Sequence, residues 1–182
     1  MRRFKSRLAV LRRRWRRREE GAAAVEFALI AMVFFWLFLG IIELGMLMIF
    51  NNGLEDGVDR AARLIRTGQA FKQNISADQF RKKICEYVVL RTQCNSALMV
   101  DVRTFPDFAS IRNLPQPADS GSGFTMPTNY RIGAPRQVVL VRAFYVWDFF
   151  TPLIGKLLSN TGGDKFLVSA ATTFRNEPYG SK

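Results

Sequence analysis

Hydrophobic and polar positions fall into three regimes along this chain. Basic side chains crowd positions 2–18. Ala22 to Phe50 is then apolar except for Glu26 and Glu43, and Phe27 to Ile42 carries no charge. As a helix, 22–50 would be about 43 Å long, more than the roughly 30 Å hydrocarbon core of a bilayer. A soluble core helix rarely stays apolar on every face for so long. This one does, which predicts a transmembrane helix.

Beyond the apolar run the period becomes amphipathic. Leu54, Val58, Ala61, Ala62 and Ile65 recur at helical spacing, and Asp59 stands four before Arg63. The helix is therefore expected to continue to about Thr67, where Gly68 stops it. By rise alone, 22–67 would span about 69 Å. Gly40, Gly45, Gly53 and Gly57 are candidate bend points, and Asn51-Asn52-Gly53 a candidate break.

The pattern Ser76-Ala77-Asp78-Gln79 is a capping box. Phe80, Ile84 and Val88 follow at i, i+4 and i+8, predicting a second helix to about Leu90. Leu98, Val100, Val102 and Thr104 alternate with Met99, Asp101, Arg103 and Phe105, a half-buried strand ended by Pro106. Residues 106–135, rich in Pro, Gly, Ser and Asn, form a long loop that composition marks as functional or mobile. Gln137 to Tyr145 is apolar on both faces and reads as a strand lying mid-sheet or under the long helix. Trp147 to Leu158 reads as a short helix with Pro152 in its first turn, its Phe149, Phe150, Leu153, Leu157 and Leu158 serving as core or membrane-surface contacts. Thr161-Gly162-Gly163-Asp164 is a turn, and Lys165 to Phe174 a third strand. The expected fold class is α+β: a long N-terminal transmembrane helix, then a small head with a second helix and a three-stranded antiparallel sheet. The expected domains are 1–21, 22–50 and 51–182.

Charge sets the orientation. The 182 residues carry a formal +12, and the first twenty hold ten basic and two acidic side chains, which is +8 of that total. Lys and Arg concentrate on the cytoplasmic side of a span, so the N-terminus is expected in the cytoplasm. The remaining chain then lies across the membrane, in a bacterium the periplasm. A basic arm can bind nucleic acid, but beside a span each Lys or Arg gains about 1 kcal/mol from anionic headgroups. Lipid, not nucleic acid, is the expected partner. A cleaved secretory signal fits poorly, because the apolar run is too long and no small-x-small site follows it before Glu55-Asp56.

Candidate chemistry is sparse. No histidine is present, which removes the usual nucleophilic triads and most zinc sites. Gly121-Ser122-Gly123 is a lone loop fragment, not a phosphate-binding motif. An enzyme would need acid–base work from Asp101, Asp107, Asp148 or Glu177, whose spacing predicts no convergence. No catalytic residue, cofactor, metal or small-molecule substrate is expected. Cys85 and Cys94 are the only cysteines. Outside the membrane, an isolated pair reads as a disulfide, with half a metal site the alternative.

Glu26 and Glu43 lie about 25 Å apart along a helix, so each could sit near one membrane boundary and reach water. For Glu43 that reading is preferred. For Glu26 a sharper one exists. A cut after Gly21 would create an ammonium on Ala22, mostly charged at neutral pH. Glu26 of one subunit could then pair with the amino terminus of a neighbour.

Gly21-Ala22-Ala23-Ala24-Val25-Glu26-Phe27-Ala28-Leu29-Ile30 resembles the start of TadE-like proteins, pseudopilins of the tight-adherence (Flp-type) pilus machinery. Ile42-Glu43-Leu44-Gly45, Ala61-Ala62-Arg63 and Arg175-Asn176-Glu177-Pro178-Tyr179 are similar too. The resemblance implies a pilin-like long helix with a periplasmic α+β head. It implies cleavage by a prepilin peptidase between Gly21 and Ala22, with Glu26 acting in processing or assembly. The implied partners are that peptidase, other pilins and pseudopilins, and inner-membrane assembly proteins. The implied role is a minor pseudopilin of the bacterial inner membrane; the alternative is an uncleaved, membrane-anchored periplasmic scaffold or binding protein.

Overall fold

The long apolar run and its amphipathic continuation belong to one helix, α1 (Arg2–Arg66), in the computed structural model of the chain. The structure describes all residues except 1, 90, 113, 116, 120–123, 127, 152–153, 162–164 and 180–182. It describes the backbone alone at 2–20, 91–92, 118–119 and 124. Leu90, Gly121-Ser122-Gly123, Pro152, Leu153 and Gly162-Gly163-Asp164 therefore lie outside the described residues, as do the arm's arginine side chains. Two compact units divide the chain at Ile42 and Glu43.

In the first unit, α1 shows apolar side chains to its surroundings on every face. Phe27 and Met32 are each 72% exposed, and Phe34, Phe35, Leu37 and Ile41 are exposed as well. An all-round apolar, uncovered helix of this length matches a bilayer and not water.

The second unit begins with the rest of α1. Asn51-Asn52-Gly53 does not break it. Leu47, Phe50, Leu54, Val58, Ala61 and Ile65 form one buried stripe at helical spacing. The glycines serve packing instead. A Cβ on Gly53 would lie 2.6 Å from the Tyr87 carbonyl oxygen, and one on Gly57 would collide with that of Ile84. They let α3 and the turn that follows it pass close to α1. α1 ends where Gly68 takes φ 74°, a left-handed conformation that costs glycine little.

α2 (Gln69–Lys72) is a short turn absent from the sequence reading. α3 (Ala77–Cys85) starts at the capping box: Ser76 Oγ accepts from Gln79 N–H at 3.2 Å, and Gln79 Oε1 accepts from Ser76 N–H at 2.9 Å. It ends sooner than the period suggested. A separate helix, α4 (Arg91–Ala97), carries Cys94. Cys85 and Cys94, both fully buried, join as a disulfide with Cα atoms 5.8 Å apart.

β1 (Met99–Phe105), the two-residue strands β2 (Ala118–Asp119) and β3 (Phe124–Thr125), β4 (Val138–Asp148), α5 (Ile154–Leu158) and β5 (Lys165–Arg175) complete the order. β1, β4 and β5 make a three-stranded antiparallel sheet with β4 central, while β2 and β3 pair separately. The α+β expectation holds. β4 outruns its predicted end: Trp147 pairs with Phe166 and Asp148 with Lys165, so among the described residues of the expected 147–158 helix only Ile154–Leu158 are helical.

β4 is apolar on both faces because both are covered. Val139, Val141, Ala143, Tyr145 and Trp147 join the core that contains the α1 stripe, and the Phe50 ring lies 4.4 Å from that of Tyr145, tilted by 44°. Val138, Leu140, Arg142 and Phe144 are buried on the other face. Parts of the 106–135 segment reach that side: the Pro115 carbonyl accepts from Arg142 at 2.9 Å, and Asn129 N–H donates to Asp101 at 2.9 Å. The segment also borders the sheet edge, where Val102 N–H donates to Asn129 and Arg131 N–H donates back to Val102. Tyr130 O–H donates to the Ile75 carbonyl at 3.0 Å.

Burial pushes the Tyr130 phenol up to about 12 from 10.0. The protonated form is thus favoured in the folded state, and its contribution is complete below pH 10 and lost as pH rises toward 12. Tyr130→Phe is expected to flatten the fall in unfolding midpoint across that window, measured by denaturant titration at stepped pH. Replacing Cys85 and Cys94 together by Ala should cost about 2–3 kcal/mol in the same assay, the cross-link constraining a loop of about ten residues.

Candidate functional site

Two acidic positions in α1 have opposite surroundings. Gly21, Ala22 and Glu26 all lie exposed on helix within the first unit, and a Cβ on Gly21 would meet nothing within 4 Å. The junction is thus sterically open to an enzyme or a neighbouring subunit. The Gly21–Ala22 bond lies inside a regular helix, so a peptidase would have to unwind it locally to reach the carbonyl. Glu26 shares a surface with Val25, Phe27, Leu29 and Ile30, all exposed and apolar. In lipid its charge would need a counterpart.

Glu43 is the residue that sequence reasoning misplaced. It does not reach water; it is fully buried. Its carboxylate accepts the Phe150 N–H at 2.6 Å and the Thr151 N–H at 2.9 Å. Two successive amides converge on the two oxygens, one on each. The detectable signal was a carboxylate within an apolar run. Its partners are backbone groups more than a hundred residues away, which carry no sequence signature.

The other end of α1 is held by the terminal segment. The Glu177 N–H donates to the Arg66 carbonyl at 2.9 Å, satisfying one of the acceptors that every helix end leaves open. Arg66 and Glu177 also make an exposed ion pair at 3.5 Å. The Tyr179 ring occupies the space where a Cβ on Gly68 would be. Asn176 donates through Nδ2 to the Ile132 and Ala134 carbonyls at 2.9 and 3.1 Å. The motif Arg175-Asn176-Glu177-Pro178-Tyr179 is therefore a clasp on the end of α1.

The carboxylates considered for catalysis are dispersed among separate contacts. Asp101, fully buried, takes Arg142 at 2.6 Å across the strand pair and Arg103 at 2.9 Å. Its strand is thus more buried than the alternating pattern implied. Asp107 caps the 3-10 turn Phe108–Ser110 through the Ser110 N–H at 2.7 Å. Asp148 pairs with Lys165, and Glu177 with Arg66. No two of them share a partner in these contacts. Among the described residues, no group of three or more His, Cys, Asp or Glu is placed to hold a metal ion.

An exposed apolar helix that starts beside Gly21 and continues into a buried amphipathic stripe is the feature that comparison resolves. Residues 21–63 match the TadE-like protein family. The TadE-like match covers the junction, Glu26, the apolar run, Glu43 and most of the amphipathic stripe, and stops before the sheet. It points to a role in the tight-adherence pilus system. No curated protein and no solved structure matches the chain.

Glu43→Ala should remove two charge-assisted hydrogen bonds and strand two buried amides, destabilising the unit by about 2–4 kcal/mol. Glu55→Ala, at an exposed position of the same helix, should change it by less than about 0.5 kcal/mol. Urea unfolding of the detergent-solubilised protein, followed by tryptophan fluorescence, distinguishes the two.

Proposed function

We propose that this chain is a minor pseudopilin of the tight-adherence pilus assembly machinery. It sits in the bacterial inner membrane with the basic arm in the cytoplasm and the α+β head in the periplasm. A prepilin peptidase removes the arm between Gly21 and Ala22. The new ammonium at Ala22 of one subunit then meets Glu26 of another within lipid, offsetting the cost of each charge there. Lateral association of the apolar helices brings the subunit to pilins and inner-membrane assembly proteins before filament growth. No catalytic step belongs to the chain itself in this reading.

The observation that supports it best is the TadE-like match beginning at Gly21, on an exposed apolar helix with Glu26 inside it. The disulfide is in keeping with an oxidising compartment outside the cytoplasm. The unbroken helix through Gly21 and Ala22 favours the alternative, an uncleaved anchored scaffold.

Amino-terminal sequencing and intact mass of protein from native membranes separate these readings. A mature start at Ala22, lost in Gly21→Ala and in a strain lacking the peptidase, is expected. Full-length protein beside an active peptidase would instead establish the scaffold. Glu26→Ala should leave membrane insertion intact and reduce pilus yield; unchanged yield would remove the ammonium–carboxylate pairing from the mechanism.

A further inference from the structure

The segment that Glu43 holds is unusually apolar for a surface. Phe150, Leu157 and Leu158 are 57%, 74% and 40% exposed. Between Phe149 and Thr161 the sole charged residue is Lys156. Both feet of this segment stand at one end of the sheet. At the first, Glu43 accepts the Phe150 and Thr151 amides. At the second, the Ser159 and Thr161 hydroxyls donate to the Lys165 carbonyl at 2.9 and 2.8 Å, and Lys165 pairs in register with Asp148. A loop tied at both feet cannot withdraw far from the helix turn that carries Glu43.

That turn has a definable depth. Twenty residues from Ala22 use up about 30 Å, the whole hydrocarbon thickness, so Glu43 follows at its outer boundary. The headgroup layer adds about 5–8 Å beyond it on each side. Met46, the next exposed apolar residue of α1 in this unit, falls within that layer.

We propose that Phe150, Leu157 and Leu158 form a second membrane contact, inserting into the leaflet on the head side of the bilayer. The three apolar side chains sit at the boundary between acyl chains and headgroups, and Lys156 extends its ammonium to the phosphates. Glu43 is the tether: its carboxylate accepts from two backbone amides that would otherwise be left unpaired. The occupant is lipid, because the segment is fixed at the level of the residues that end the apolar span. The proposal rests on the anchored reading of α1 given above.

The test uses the full chain, with its disulfide closed, in vesicles of phosphatidylethanolamine and phosphatidylglycerol. A single added thiol carries an environment-sensitive fluorophore at Leu157→Cys, Phe34→Cys or Lys72→Cys. Quenching is compared between lipids spin-labelled at the headgroup and deep in the acyl chain. Phe34 should be quenched by the deep label and Lys72 by neither. Leu157 should be quenched by the shallow label severalfold more than Lys72. In the Glu43→Ala background the Leu157 quenching should fall severalfold, with Phe34 unchanged.

Quenching at Phe34 with none at Leu157 overturns the interfacial contact and leaves the anchor standing. Absence of quenching at Phe34 overturns the anchor and this contact with it. A Leu157 label shielded from water but quenched by neither lipid places protein there and also overturns the proposal. Unchanged Leu157 quenching in Glu43→Ala overturns the tether.

Discussion

The head is organised by attachment of α1 to the sheet at two points. At one, the buried Glu43 carboxylate gathers the Phe150 and Thr151 amides. At the other, the Arg66 carbonyl receives the Glu177 N–H. Between them, the stripe from Leu47 to Ile65 shares one core with the odd-numbered residues of β4. The polar ends fix the register of an otherwise greasy contact. Hydrophobic burial alone is non-directional and would tolerate sliding. A charged acceptor with two fixed donors does not.

The remaining buried polar groups repeat this use of directional bonds. Asp101 and Arg142 face each other across β1 and β4, and their spare bonding capacity reaches Asn129 and Pro115 in the long loop. A buried ion pair gives little net stability over an apolar pair of the same volume. Its value here is positional. It holds a segment poor in periodicity over the second face of the sheet. The same need explains Asn176, whose amide collects the Ile132 and Ala134 carbonyls.

These attachments separate two kinds of acidic residue in one helix. Glu43 is satisfied within its own chain. Glu26 lies exposed among apolar side chains, and the pseudopilin reading supplies its partner from another subunit. An acid in a membrane helix persists when it is paired, hydrated or used. The carboxylates first weighed for catalysis, Asp101, Asp107, Asp148 and Glu177, are drawn into a cap and ion pairs.

Much was legible in order of residues alone. The apolar run showed itself by length, α3 by its capping box, the central strand by being apolar on both faces, and the cysteine pair by isolation. Each of these depends on neighbours within a few positions, where propensity and periodicity act. The extension of β4 through Trp147 and Asp148 was hidden, because aromatic residues suit a helix or a strand until Phe166 and Lys165 arrive as partners. Gly53 and Gly57 looked like weak points and proved to be crossing points, since only the path of α3 shows what a Cβ would strike. Glu43, Asp101 and the terminal clasp were settled by tertiary structure for the same reason. Whether a polar group is expensive or stabilising depends on which distant backbone groups the fold brings against it, and local sequence does not encode that distance.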